Sequence, residues 1–227
     1  MKDIANINLI KQTFDFWDKI SLKEQEAILS NTSTLKFSQG QSVYNASYKC
    51  LGVIIVKSGE LRTFILSESG KEITLYRLGK EDICILSASC LLSQITFDVY
   101  IEAEKESEIL LVNLATFSSL IEQNIYVENF SLRTVVSKFS DVMWTMEQVL
   151  FMNFDKRLAI FILDEATKVG LDKINLTHEQ IAKYIGSARE VVSRMLKYFE
   201  KEGYVKLHRG GFEIINKVAL KQLISSS

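Results

Sequence analysis

Apolar and polar positions along this chain of 227 residues follow two regimes. Up to about Val112 the apolar residues come in short runs broken by glycine. Phe37 precedes Gly40 and Val43-Tyr44 follows; Leu51 to Val56 runs into Ser58-Gly59, and Leu61 to Leu66 into Glu68-Ser69-Gly70. Ile73 to Leu78 ends at Gly79, and Ile95 to Ala103 and Ile109 to Val112 complete the set. Many short strands with such punctuation predict an antiparallel sandwich or jelly roll. Ahead of them, Ser21 and Glu24 have capping-box spacing and open a short helix through Leu29.

From Glu128 to Phe151 the pattern lengthens, with no Gly or Pro to interrupt it. Leu132, Val135, Phe139, Val142, Met146 and Val149 are spaced 3, 4, 3, 4, 3, the a/d seam of a coiled coil. A second stripe, Val136, Met143, Met146 and Leu150, covers the roll in this reading while the first meets a partner copy. Asn153-Phe154-Asp155 marks a hinge, and Lys156 to Lys168 forms a connecting helix.

The stretch from Leu176 to Tyr204 predicts two short helices meeting around Gly186, a helix-turn-helix. Thr177 with Gln180, and Ser187 with Glu190, each have capping-box spacing. In the second helix Val192, Met195, Leu196 and Phe199 form one apolar stripe. Arg189, Glu190, Ser193, Arg194, Lys197 and Lys201 cluster on the other side. Such a face suits a major groove, where Arg grips guanine O6 and N7 together and Glu accepts from cytosine N4. A solvated surface helix has the same amphipathic pattern; the capped helix before it and the hairpin after it favour the groove. Gly203 ends the helix, Tyr204 to Leu207 alternate, His208 to Gly211 turn, and Phe212 to Ile215 return. The chain therefore reads as α+β: an N-terminal antiparallel β-roll over 1–123, a long dimerisation helix over 124–153 and a C-terminal winged helix-turn-helix over 154–227.

The segment Gly186-Ser-Ala-Arg189-Glu190-Val-Val-Ser193-Arg194-Met-Leu resembles the recognition-helix signature of the Crp/Fnr bacterial transcription regulators. The resemblance covers about thirty residues, and the glycine spacing of the first regime is similar to that family's cyclic-nucleotide-binding roll. It implies a homodimer joined by the long helix on a palindromic DNA operator with TGTGA-like half-sites. Arg189, Glu190 and Arg194 would read bases. Thr177, Ser187, Ser193 and Lys197 would hold phosphates, with Arg209 in the wing as a further contact. RNA polymerase is the implied partner of an activator, and an effector at the roll would set activity.

The chain departs from that pattern where relatives bind cyclic AMP. They carry a Gly-Glu pair and a later Arg after the glycine matching Gly79; here Lys80-Glu81-Asp82-Ile83-Cys84-Ile85-Leu86-Ser87-Ala88-Ser89-Cys90 follows, and no Arg occurs between Arg77 and Arg133. A phosphate buried beside Glu81 and Asp82 without a cation would be strongly disfavoured. An iron–sulfur cluster needs about four thiolates, and the chain has Cys50, Cys84 and Cys90. Haem stays open, with a Cys or a Met such as Met143 or Met146 as ligand, because His178 and His208 both lie in the DNA-binding part. Cys84 and Cys90 are either a redox-reporting thiol pair or small buried hydrophobes. The apolar run Ile83 to Val99 suits a small apolar ligand, or haem, better than a charged metabolite. The effector pocket is assigned to Phe64, Tyr76, Cys84, Leu86, Cys90 and Met143. The CILSASC stretch resembles regulators from anaerobes that answer nitrosative stress.

Composition adds three constraints. With 47% apolar residues the chain is not globally disordered. Without a run of eighteen apolar residues or a leader pattern, it reads as a cytoplasmic protein with no membrane span. The net charge of −1 hides an asymmetry: from Asp155 onward thirteen Lys/Arg stand against nine Asp/Glu. No nucleophile–base constellation or phosphate-cradling glycine loop points to an enzyme. The rival from another class is a haem or small-molecule sensor whose winged helix contacts protein instead of DNA.

Overall fold

The structure, a computed structural model, describes residues 3–45, 51–68, 70–85 and 99–225. Cys50, Leu86 and Cys90 lie outside those residues, as does the stretch from Ile95 to Asp98. The chain divides into two compact units, residues 1–66 with 75–142, and residues 67–74 with 143–227.

In the first unit α1 spans Ile4–Thr13, begun by the Asp3 carboxylate accepting from the Ala5 amide. Sequence periodicity does not reveal this helix because it buries only Leu9 and Ile10, too narrow a stripe to show a period. A 3₁₀ turn at Trp17–Lys19 leads to α2, Leu22–Ser30, where Ser21 and Glu24 form the expected capping box. Among the described residues eight strands come next: β1 Thr32–Phe37, β2 Ser42–Tyr44, β3 Gly52–Ser58, β4 Leu61–Leu66, β5 Glu72–Leu78, β6 Ile83–Cys84, β7 Tyr100–Ala103 and β8 Ser107–Asn113. They form two sheets, ordered β1-β8-β3-β6 and β2-β7-β4-β5.

Strand β3 is apolar at four successive positions, Val53 to Val56, for a structural reason. Val53 and Ile55 point to one core, shared with Phe14, Phe16 and Trp17. Ile54 and Val56 point to the other, shared with Leu61, Tyr76, Cys84 and Ile101. A strand buried on both faces loses the polar alternation that one solvated face would impose. Asn113 then caps α3, Leu114–Gln123, whose Phe117 and Leu120 join the first core. The long helix α4, Ile125–Phe151, starts at Ile125 rather than Glu128.

The second unit holds α5 Phe154–Val169, β9 Lys173–Ile174, α6 His178–Ile185, α7 Arg189–Lys201, β10 Val205–His208, β11 Gly211–Ile214 and α8 Lys217–Ser225. The expected hairpin is present, with Arg209 and Gly210 as its two-residue turn. A third strand joins it, giving the order β10-β11-β9. β9 has two residues, too few to carry a period, so its pairing to Phe212 and Glu213 is invisible in the sequence. Leu158, Ile162, Ile181, Val192, Leu196, Phe199 and Phe212 make one core.

Gly211 is needed at this junction because a β-carbon there would collide with the Ile174 carbonyl on β9. Backbone cannot step aside as a side-chain tip can. Gly211→Ala is therefore expected to destabilise the second unit by about 1–3 kcal/mol, read as a lowered melting temperature in thermal denaturation.

Candidate nucleic-acid interface

Helix α6 begins at Thr177, whose hydroxyl accepts from the Gln180 amide at 3.2 Å while the Gln180 side chain accepts from the Thr177 amide at 2.9 Å. It ends on Gly186 at φ 62°, a left-handed turn most residues avoid. The Ser187 amide then bonds back to the Ala182 carbonyl at 2.9 Å. That bond places Ser187 in the terminating motif of α6, so it does not cap α7. Helix α7 starts one residue later than its spacing predicts, on Ala188, with no side-chain cap. The Ser187–Glu190 capping box is thus corrected: Ser187 is half-buried in the turn.

The apolar stripe of α7 packs as its spacing predicts, with Val192, Leu196 and Phe199 fully buried. Arg189, Glu190, Arg194 and Lys197 are exposed as a result, and Ser193 is half-buried beside them. None of these four charged side chains has a hydrogen bond or ion pair among the described residues. Two other cations of this unit are engaged by their own chain. Lys217 pairs with Asp172, and the half-buried Arg157 guanidinium donates to the Ile185 carbonyl, capping the last turn of α6. Arg209 stands exposed at the wing tip. The wing is tied to α7 by the Glu200 carboxylate accepting from the Leu207 amide at 2.8 Å.

His178, the first residue of α6, received no role from the sequence. Burial holds its imidazole below the usual range, and the positive charges of Arg189 and Lys197 push it further down. No sequence signal marks it, because the charges that act on it come from α7.

The exposed seam of α4 differs from the predicted one. Val135 packs on the first core and Val142 on the core between the sheets, while Val149 is half-buried. Spaced by four and three along α4, the exposed large apolar residues include Leu132, Val136, Phe139, Met143, Met146 and Leu150. Periodicity assigns Val135, Val142 and Val149 to a partner and Val136, Met143 and Leu150 to the roll; in the structure Val135 and Val142 pack on the chain's own cores, and Val136, Met143 and Leu150 are exposed. Both stripes step by three and four, so spacing cannot tell which one the protein's own core claims.

The predicted effector residues also separate. Tyr76 and Cys84 are together in the core between the sheets, where burial pushes the Tyr76 phenol well up and the Cys84 thiol adds to that. From α4, the Lys138 ammonium sits 4.9 Å over the Tyr76 ring and pairs with Asp141 at 3.0 Å. Phe64 is on the other face of β4, stacked 5.5 Å from Tyr100 and 4.0 Å under the Arg62 guanidinium. Met143 is exposed on the α4 seam. Arg62, fully buried, is ion-paired to Glu104 at 2.8 Å and Glu102 at 3.7 Å on the Phe64 face. Leu86 and Cys90 lie outside the described residues.

The two capping sites set up a direct contrast. Thr177→Ala is expected to cost about 1 kcal/mol, whereas Ser187→Ala should change stability by less than about 0.5 kcal/mol. Urea denaturation of the two variants checks both.

Comparison with known proteins agrees with both halves. Residues 34–124 match the cyclic nucleotide-binding domain and residues 156–223 the Crp-like helix-turn-helix domain. A solved structure of a regulator assigned to the Crp/Fnr family from Eubacterium rectale is 40% identical, covers 95% of this chain and 100% of its own, and superposes with a TM-score of 0.90. The cyclic AMP receptor protein of Thermus thermophilus is 23% identical over 88% of this chain and 92% of its own length. The anaerobic regulatory protein of Bacillus subtilis is 23% identical over 88% and 87%. The chain belongs to the Crp/Fnr family and is a DNA-binding transcription regulator of that type.

Proposed function

We propose that two copies of the chain pair along α4 and place their α7 helices in successive major grooves of a palindromic operator with TGTGA-like half-sites. The observation that carries this reading is the exposed face Arg189, Glu190, Arg194, Lys197, charged and without partners in its own chain among the described residues. Arg189, Glu190 and Arg194 read base edges. Thr177, Ser187, Ser193 and Lys197 hold phosphates, and Arg209 reaches the backbone from the wing. Two-fold pairing sets the half-sites one helical turn apart, ~34 Å.

The effector acts at the roll and is not a cyclic nucleotide. Arg62, the buried cation of β4, faces away from the core between the sheets and is already neutralised by Glu104 and Glu102. The sequence from Leu86 to Asp98 adds no Lys or Arg. A small, weakly polar molecule near Tyr76 and Cys84 suits that core better than a phosphate. Its effect passes to α4 through Lys138 and Asp141, which lie against the Tyr76 ring and phenol.

Two measurements test this. In duplex titrations, Arg194→Ala is expected to cost ~1–3 kcal/mol and to relax preference at one base pair, while Lys197→Ala weakens all sequences alike and lowers the salt slope by about one. Even losses across sequences in both variants would remove the base-reading assignment. In sedimentation, Phe139→Glu and Val136→Glu should give folded monomers, since these side chains are exposed at 63% each and support no core. A variant that stays dimeric would place the interface elsewhere.

A further inference from the structure

The start of α6 stands beside a line of cations. Arg189, Ser193 and Lys197 recur every fourth residue down one side of α7, which packs against α6. Arg189 and Lys197 are exposed and unpaired among the described residues. His178, half-buried next to the capping Thr177, lies within their field, and both lower its proton affinity. No carboxylate is among the charges acting on it. Glu179, its neighbour on α6, is exposed. On α5, the other helix packed against α6, Asp164 and Glu165 have interactions of their own, and Arg157 is engaged at the far end by Ile185. His178, at the start of a helix packed on α7, thus lies within the field of two exposed cations, and no carboxylate is among the charges acting on it. Such a place attracts an anion.

We propose that His178 and Lys197 share one DNA backbone phosphate, with Arg189 beside it, and that His178 takes up a proton as the phosphate arrives. The inference rests on the DNA-binding reading and adds to it a contact residue and a proton. Charge-assisted hydrogen bonds are about twice as strong as neutral ones, so the phosphate holds the imidazolium better than the neutral ring. In the free protein Arg189 and Lys197 repel that proton; in the complex the phosphate reverses the sign of the local field. Between the two titration ranges the bound protein carries one more proton per copy than the free protein. Affinity therefore rises as pH falls through the bound-state range and levels off below the free-state range.

The test uses the full chain and a duplex of arbitrary sequence, because a phosphate contact ignores base identity. Affinity is measured between about pH 8 and about pH 6, where His is the side chain that normally titrates. For the wild type it should rise by up to about tenfold per pH unit for each engaged copy. His178→Gln should flatten that dependence. His178→Lys, permanently charged, should also be flat but bind at the tight, low-pH level. Thermal melts establish that both variants are folded. With only two histidines in the chain, nuclear magnetic resonance can follow the ring directly, and it should titrate at higher pH in the complex than in the free protein. A pH dependence that survives in His178→Gln, or a wild type that binds with salt dependence but no pH dependence, overturns the proposal and leaves the DNA-binding reading standing. No salt-dependent binding to any duplex at any pH overturns both.

Discussion

Burial of Val192, Leu196 and Phe199 is the constraint on which the DNA-binding unit depends. Each side chain taken fully from water contributes about 1.5–3 kcal/mol, and all three point from one side of α7 into a core shared with Ile181, Ile185 and Phe212. A helix has no freedom left once that stripe is anchored. Arg189, Glu190, Arg194 and Lys197 are presented to solvent because the residues behind them are held. The same stripe fixes the entry into the wing. Gly203 turns left-handed at φ 74°, the Tyr204 amide bonds back to the Phe199 carbonyl at 2.8 Å, and the Tyr204 ring meets Phe199 edge-on at 5.5 Å. The recognition face and the wing are consequences of one packing decision.

The roll obeys the same logic with a different outcome. Its two sheets enclose a core of side chains, and its outer sheet face is closed by helices through the aromatic cluster Phe14, Phe16, Phe117 and Phe130. Among the described residues, the Tyr76 phenol, the Cys84 thiol and the Thr63 hydroxyl come together near Lys138 and Asp141 of α4. The strong charges of β4 and β7 sit on the opposite face and neutralise one another. The chain shares its fold with cyclic-nucleotide-binding domains, and fold alone does not dictate the ligand.

What the sequence reveals and what it hides divide along physical lines. Thr177 and Ser187 have identical spacing to Gln180 and Glu190, yet only the first pair forms a box. The difference lies in the residue before each: nothing upstream claims Thr177, whereas α6 claims Ser187 to finish its own left-handed turn at Gly186. Strand parity explains Phe64, which lies on the opposite face of β4 from Thr63 and Leu61, so it cannot share a pocket with Tyr76. Helix α1 and strand β9 are hidden for want of length or stripe width. The α4 seam is hidden by degeneracy, since a wide apolar face contains two heptad patterns and only tertiary packing chooses between them. Legible features are those whose cause is local; the others are decided by a neighbour distant in sequence.

That choice between patterns links the long helix to the recognition face. Six large apolar side chains from Leu132 to Leu150 remain exposed along one edge of α4, a contiguous patch of the kind that isolated soluble proteins rarely display. A second α4 would cover it with the heptad geometry that keeps two seams in register. The benefit is thermodynamic as well as structural. The C-terminal third carries thirteen Lys/Arg against nine Asp/Glu, a small excess, and a single recognition helix with a few phosphate contacts binds weakly at physiological salt. Joining two such helices makes the second engagement intramolecular, which raises overall affinity by ~10²–10⁴ without a new contact. A modest charge and an uncovered seam are each puzzling alone. In the proposed dimer the two fit together, because pairing along the seam would supply what the charge does not supply by strength.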